Sequence, residues 1–548
     1  MRSVKLTSDM IRHLLPITIL WSMLQGTLSS PPHIIIIVAD DLGWGDVSFH
    51  GSRQIPTPNI DALAASGIVL NNYYVSPICT PSRSALLSGR HPIHTGMQHD
   101  TIFAAEPWGF PLQYKLMPQF FKRLGYETHA VGKWHIGYMT DEYTPTKRGF
   151  DSYYGYYNGH QDYMDHTTYE LYHMGNESVA GWGLDLHHNM SQDKSQLGHY
   201  STNVFTERAI DVLKNRNKTK PMFLYLAHLA VHVGNEYNKL DAPQEYVQKF
   251  AYIKNEKRRV FAAMLSALDD AIGDLVKALL FTNMLNETLL VLTTDNGGAA
   301  GGVDDSAGCN WPLRGSKVTL WEGGVRGTAG LWGPRLAGRS HVASQLMHIT
   351  DWLPTLYHAA GGSVSDLGDI DGYNLWESLL SDSVSPRPDV LHNIDPIGKT
   401  SALRHGGYKL IQGSYAGGIF DGWYKPLQYD LGPQNVDRLR YKSSVGRTLR
   451  KLGRPLTGGT DEALEDVVVK CNRPKVINAC FPMKAPCLFN IEADPCEYEN
   501  IADQHPDIVD FMLKRLAVYR ESMVPPLKKA PIKRALPRLH GYAWKPYL

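Results

Sequence analysis

The run His33-Ile34-Ile35-Ile36-Ile37-Val38-Ala39 is continuous, rich in β-branched side chains and apolar at every position after His33. A run with no polar face reads as a strand buried on both sides, as in a parallel sheet sandwiched between helices. It stops abruptly at Asp40-Asp41, followed by Gly43 and Gly45. A second such run, Thr288 to Thr294, stops at Asp295-Asn296-Gly297-Gly298. In open α/β sheets, ligands sit beyond the carboxyl ends of the strands. Four oxygen-bearing side chains meeting there, Asp40, Asp41, Asp295 and Asn296, suit a hard divalent cation such as Ca²⁺. Either pair alone is more often a turn; both at the ends of apolar strands carry the argument.

The spacing predicts helices over Pro58 to Ser66, Ser82 to Ser88 (entered through Pro81), Leu116 to Leu124, Ser201 to Lys214 with a Ser cap, and Val260 to Leu280. Strands are expected over Ile68 to Val75, Glu127 to Val131 and Met222 to Leu226. This alternation predicts an α/β domain with a large, mostly parallel sheet flanked by helices, spanning 31–385. Pro386-Arg387-Pro388 marks a boundary. Short strands at Val390 to Ile394, Tyr408 to Ile411 and Leu488 to Ile491, then a helix over Pro506 to Glu521, predict a smaller α+β domain over 386–548. The stretch Gly413 to Leu464 carries no clear pattern. The basic, Pro-interrupted tail from Lys528-Lys529 to Arg538 reads as solvated. A chain of 548 residues suits two domains. Its 55 Lys+Arg nearly balance 54 Asp+Glu, so no global field argues for nucleic acid.

Arg2, Lys5 and Arg12, the apolar stretch Leu14 to Leu24 and the small residues Thr27-Leu28-Ser29-Ser30 predict a secretory signal over 1–30. The apolar stretch is too short to span a bilayer, and nothing later resembles a span. Sequons at Asn176, Asn189, Asn217 and Asn286 fit the same route, to the lysosome or the outside. Six cysteines are present. Cys471, Cys480, Cys487 and Cys496 cluster, and an even cluster in an oxidising compartment predicts two disulfides. Spacing allows three pairings, of which Cys471–Cys480 with Cys487–Cys496 is the expected one. Cys309 reads as a buried thiol or one half of an unseen pair.

Cys79 lies in Cys79-Thr80-Pro81-Ser82-Arg83, continuing Ser84-Ala85-Leu86-Leu87-Ser88-Gly89-Arg90. A helix starting here would point free N–H groups and a partial positive charge at position 79, where an anion could be held. Lys133 and His135, in Gly132-Lys133-Trp134-His135, lie two apart and would share one side of an extended segment. Alone, they read more simply as a surface lysine and a packed histidine. His232 follows a predicted strand, with His228 as a rival, and Lys317 sits in the loop Asn310-Trp311-Pro312-Leu313-Arg314-Gly315-Ser316-Lys317.

The run C-x-P-S-R-x-x-x-L-[ST]-G-R resembles the signature of the type I sulfatases, and the other segments match that family in order from Pro32 to Ala360. Ala39-Asp40-Asp41-Leu42-Gly43-Trp44, Phe49-His50-Gly51-Ser52 and Leu391-His392-Asn393-Ile394-Asp395-Pro396 are similar to the arylsulfatase B group, whose type member is N-acetylgalactosamine-4-sulfatase, and to arylsulfatases I and J. Pro486-Cys487-Leu488-Phe489 and Asp494-Pro495-Cys496-Glu497 resemble invertebrate members and the I/J branch. The resemblance implies an alkaline-phosphatase-like fold and a sulfated glycan substrate. It also implies that a formylglycine-generating enzyme oxidises Cys79 to formylglycine during secretion. Asp40, Asp41, Asp295 and Asn296 would bind one Ca²⁺, completed by residue 79. The hydrated aldehyde would attack sulfur with Asp295 as base, and His232 or Lys317 would protonate the leaving alcohol. His135 would take a proton as sulfate is expelled, while Arg83, Lys133 and Lys317 would neutralise sulfate oxygens. This is covalent catalysis with metal and cationic stabilisation. The rival readings are a phosphate-ester or phosphonate hydrolase of the same fold, which would use Thr or Ser, and a non-catalytic glycan binder, which would have lost one of these groups.

Overall fold

A computed structural model of the protein describes residues 31–333, 336, 340–426, 436–454, 456, 464–475 and 477–548. The expected leader, 1–30, lies outside them. The strand His33–Ala39 is fully buried, and its side chains alternate between two cores. Ile34, Ile36 and Val38 pack with Leu86, Phe121 and Phe223, whereas Ile35 and Ile37 pack with Phe261, Leu265 and Leu268 of the helix Glu256–Phe281. Each such side chain contributes about 1.5–3 kcal/mol on burial, so an unbroken apolar run is stable only between two layers.

The strand sits inside a ten-stranded sheet. In spatial order the strands are His341–Ala343, Ile68–Leu70, Ala329–Trp332, Thr288–Thr294, His33–Ala39, Met222–Ala227, Glu127–Lys133, Ser152–Tyr156, His187–His188 and Ser191–Gln192. From Thr288–Thr294 to Ser152–Tyr156 all neighbours are parallel. Antiparallel pairs close both flanks. The architecture is the expected mostly parallel sheet flanked by helices. The expected strand Ile68 to Val75 is divided: Asn71 and Asn72 form a turn, and Tyr73–Tyr74 leaves to pair with Met347–His348. The helix Ser201–Asn215 is not capped by serine. Tyr200 precedes it, and Ser201 Oγ instead donates to the Tyr163 carbonyl at 3.1 Å.

A second, antiparallel sheet follows, with strands Asp389–Asp395, Thr400–His405, Tyr408–Gln412 and Cys487–Asn490. Met512 and Leu516 of the helix Pro506–Ser522 pack on its Leu391, Leu403, Leu410 and Leu488. The disulfides are Cys471–Cys496 and Cys480–Cys487, which corrects the expected pairing. The turn after Cys480 brings its Cα within 5.8 Å of Cys487, at the start of a strand, and leaves Cys496 for Cys471. The basic tail is solvated at Lys529, Lys533, Arg534 and Arg538, but Lys528 is not free in water. Lys528 pairs with Asp100 at 3.1 Å and Glu106 at 3.0 Å, and Trp544 beyond it is completely buried.

A buried charge cluster joins the second sheet to the first part of the chain. Lys409 donates to Glu322 and forms an ion pair with Glu497, each at 2.9 Å, and all three are fully buried. Glu322 also accepts from Tyr74 Oη at 2.8 Å, and Arg404 reaches that same hydroxyl. Burial, with repulsion from Glu322, pushes Glu497 up to about 7 despite Lys409. Lys409→Met would leave buried Glu497 without its cation and Glu322 with the more distant Arg326, 3.8 Å away. We expect it to destabilise the fold by about 3–5 kcal/mol, read as a lower midpoint in thermal and urea unfolding.

Candidate active site

Parallel register sets the carboxyl ends of four strands level. Ala39 is opposite Thr294, Val38 is opposite Ala227, and Ala227 is opposite Gly132. The next residues, Asp40, Asp295, His228 and Lys133, therefore emerge along one edge. Gly132 is required here: its φ is +97°, and a Cβ would lie 1.8 Å from the Ala227 carbonyl oxygen. The loop after Ala227 is tied to the first strand, with Asp40 N–H donating to Ala230 O at 3.0 Å and Val231 N–H to Asp40 O at 2.7 Å. That tie brings in His232.

The helix Cys79–Ser88 meets this edge with its first turns and begins three residues earlier than the sequence suggested. Proline is tolerated in its first turn, where an N–H would lack an intrahelical partner. Ile78 precedes the helix without a side-chain cap, and Ile78 and Cys79 both line a cavity of about 860 Å³.

Arg83, one turn in, is fully buried, with Nε and Nη2 donating to Asp295 Oδ2 at 3.1 and 2.8 Å, and Nη2 3.3 Å from Asp40 Oδ2. Lys133 Nζ donates to the same Asp40 oxygen at 2.6 Å. Neither cation is among the residues lining the cavity. Lys317 is. Its Nζ donates to Asp41 Oδ2 at 2.8 Å and to Asp304 Oδ2 at 2.8 Å, and lies 3.0 Å from His232 Nε2. His232 Nδ1 is 2.7 Å from its neighbour's carbonyl, Val233 O, so Nδ1 carries the proton and Nε2 accepts from Lys317. His135 Nε2 donates to Ile102 O at 3.0 Å, which leaves its buried Nδ1 with a free lone pair. Lys133 and His135 do not share an extended face: the strand ends at Lys133, and His135 has φ +57°.

The charges follow from this packing. Burial raises the Asp40 carboxyl, but Lys133, Arg83 and Lys317 outweigh it and hold it below its ordinary value. Burial and neighbouring carboxylates push Asp41 up to about 7 and also raise Asp295. Burial lowers Lys317, yet Asp304 and Asp41 more than reverse this and keep it an ammonium. Burial, then Lys133 and Arg83, keep His135 well below its usual value, so it stays neutral in mildly acidic solution. Burial pushes the Cys79 thiol up to about 12 against Lys133 and Lys317, making it a poor nucleophile as it stands.

The arrangement has room for a metal ion. Asp40 Oδ1 and Asn296 Oδ1 are buried oxygens without hydrogen-bond partners. Candidate ligand atoms of Asp40, Asp41, Cys79 and His232 lie within 4.8 Å of one another. Carboxylate and amide oxygens are the donors a hard cation takes.

No pattern in the sequence pointed to Asp304, His160 or the hairpin Thr167–Met174 with Glu177–Leu184. All three contribute to the cavity wall, the hairpin through Tyr169, Glu170 and Tyr172. Asp304 sits in a glycine-rich loop with φ +54° and signals itself only through contact with Lys317. Of the sequons, Asn176, Asn217 and Asn286 are exposed, while Asn189 is half-buried, its Oδ1 accepting from Tyr153 N–H at 2.9 Å.

Comparison with known proteins agrees with this geometry. The family model described as Sulfatase matches residues 32–363. The chain belongs to the sulfatase family. Arylsulfatase J of Mus musculus is 37% identical over 538 residues, covering 95% of this chain and 81% of that protein. N-acetylgalactosamine-6-sulfatase of Homo sapiens is 31% identical over 386 residues, covering 68% of this chain and 71% of that one. The crystal structure of Ps i-CgsB in complex with k-i-k-neocarrahexaose superposes with a TM-score of 0.69 at 27% identity, covering 93% of this chain and 98% of that chain. This sulfatase is of type I, and a sulfuric ester hydrolase. Among the described residues no helix is long and apolar enough to cross a membrane.

In sulfatase made without modification of residue 79, both free thiols, Cys79 and Cys309, are buried and pushed up to about 12. Iodoacetamide at pH 8 should leave both unlabelled in the folded protein and label both in urea, as read by peptide mass. Rapid labelling of folded Cys79 would contradict the environment described.

Proposed function

We propose that this sulfatase removes sulfate from N-acetylgalactosamine 4-sulfate units of glycosaminoglycans such as dermatan or chondroitin sulfate, using formylglycine made from Cys79 and one Ca²⁺. The lysosome or the extracellular space is its place of action. One observation carries the chemistry: a buried Cys79 at a helix N-terminus, against the oxygen donors of Asp40 and Asp41, opens on a cavity walled by Lys317, His232 and His135. The 4-sulfate follows the resemblance to the arylsulfatase B group, and the aromatic side chains of Phe103, Tyr169, Tyr172 and Tyr415 on the cavity wall suit a sugar ring. Similarity to human N-acetylgalactosamine-6-sulfatase favours the 6-sulfate as the second reading.

Asp40, Asp41, Asp295 and Asn296 would hold Ca²⁺, which supplies positive charge beside the nucleophile and the sulfate oxygens. Formylglycine, when hydrated, supplies a hydroxyl to attack sulfur and a second hydroxyl for release. The protein's own groups manage protons. Lys317, kept charged by Asp304 and Asp41, is the proton source on the cavity wall, and its bond to His232 Nε2 aligns the pair toward the leaving oxygen. His135 Nδ1, neutral and unpaired, is placed to accept the proton that must leave before sulfate departs. Arg83 and Lys133 act one layer back: together they hold Asp40 ionised, and Arg83 orients Asp295.

Purified protein should release sulfate from N-acetylgalactosamine 4-sulfate at acid pH, with the 6-sulfate and an aryl sulfate as comparisons and Cys79→Ala inactive. Preference for the 6-sulfate would overturn the 4-sulfate assignment. Cys79→Ser should release at most one equivalent of alcohol per chain and stop, as seen by burst kinetics; sustained turnover would reject the role of residue 79.

Chelation of Ca²⁺ should abolish sulfate release and lower the thermal midpoint, and Ca²⁺ should restore both while Mg²⁺ does not. Two zinc ions per chain by elemental analysis would favour the phosphate-ester chemistry instead.

A further inference from the structure

A second cavity, of about 590 Å³, shares no lining residue with the one at Cys79. It lies between the segment Gly45 to Gln54, Trp311-Pro312 and parts of the C-terminal region. Three cations line it, Arg53, Lys425 and Arg473. All three are exposed, and among the described residues none makes an ion pair with a carboxylate. Two aromatic rings accompany them: half-exposed Trp311, with Lys425 Nζ 5.2 Å from its centroid, and Tyr498, stacked on Trp423 at 4.8 Å. His50 forms part of the wall. Its Nδ1 donates to Trp44 O at 2.9 Å, and its buried Nε2 has no partner.

The walls are held rigidly. The disulfide Cys471–Cys496 lies two residues from both Arg473 and Tyr498, and Trp423 Nε1 donates to Cys496 O at 2.7 Å. A preformed groove loses little freedom when a ligand enters.

We propose that this groove is a second, non-catalytic binding site for an acidic saccharide, namely a sulfated stretch of the glycan chain on which the enzyme acts. Arg53, Lys425 and Arg473 face its sulfate and carboxylate groups, and Trp311 offers a face to a sugar ring. The identity of the saccharide rests on the function proposed above; the presence of an anion-binding groove does not. A site of this kind raises the local concentration of chain ends near the enzyme without taking part in the reaction.

The test compares wild type, a groove variant (Arg53→Ser, Lys425→Ser, Arg473→Ser) and a control variant (Arg447→Ser, Arg450→Ser, Lys451→Ser). The control removes the same charge from the exposed face of the helix Ser444–Lys451. Each is eluted with NaCl from immobilised chondroitin sulfate and assayed on a chondroitin sulfate oligosaccharide and on a small aryl sulfate. The groove variant should elute at clearly lower salt than the control. Its KM for the oligosaccharide should rise about tenfold at unchanged kcat, the order expected from three lost charge contacts, with aryl sulfate turnover unaltered. Equal elution of groove and control variants, or of groove variant and wild type, would overturn the proposal. Elution of Cys79→Ala protein separates the two readings, because it reports groove binding even if no tested sulfate ester is cleaved.

Discussion

Arg83 bridging Asp295 and Asp40 is the contact on which the catalytic centre depends. It is a completely buried guanidinium, one turn into the helix that begins with Cys79, and it grips carboxylates from the ends of two neighbouring strands. Burying such charges is costly unless each is paired and hydrogen-bonded. Here the pairing is two-pronged on Asp295, and Lys133 completes the neutralisation of Asp40. The helix can therefore sit in only one position relative to the strands, and Cys79 with it. A buried ion pair is weak evidence for stability but a strong constraint on geometry.

That constraint divides the cations by task. Arg83 and Lys133 are committed to the acidic cluster, so they set the charge and orientation of its oxygens. Lys317 reaches the cavity and is held there by Asp41 on one side and Asp304 on the other. The histidines are divided in the same way. Each has one ring nitrogen fixed on a backbone carbonyl, Ile102 for His135 and Val233 for His232, which settles the tautomer and aims the other nitrogen at the reacting groups. Burial keeps both imidazoles neutral, the state in which they can accept a proton.

The C-terminal region is part of the same construction. Its sheet is locked to the main body through Lys409, Glu322 and Glu497. The loop carrying Lys317 leads directly into Glu322, so the lock also steadies the lysine. The chain end then runs back across the catalytic portion: Leu527 N–H donates to Gly96 O, Ile532 N–H donates to Ala105 O, and Pro531 lines the active cavity. Basic residues at the end of a chain usually stay in water. Lys529, Lys533, Arg534 and Arg538 do, but Lys528 is drawn in because Asp100 and Glu106 offer it carboxylates, and the core offers Trp544 a buried slot.

The central strands were legible in the sequence because a side chain buried on both faces must be apolar, and the acid-rich turns were legible because they interrupt such runs. Cys79 was legible because its neighbours are specified position by position. Helix ends were less so: the helix at Cys79 starts before Ser82, since proline can occupy a first turn, and Ser201 bonds across the fold instead of capping. Disulfide partners, Asp304 and the hairpin that walls the cavity came only from tertiary structure. Spacing left three pairings open and Cys471–Cys480 was the expected one, but the turn after Cys480 and the strand at Cys487 bring those two together instead. Asp304 acquires meaning only 2.8 Å from Lys317, thirteen positions away along a loop. The sequence alone determined which residue types the chemistry has available; the parallel register and the buried charge pairs decided which of them meet, because distance in space is set by packing and not by order in the chain.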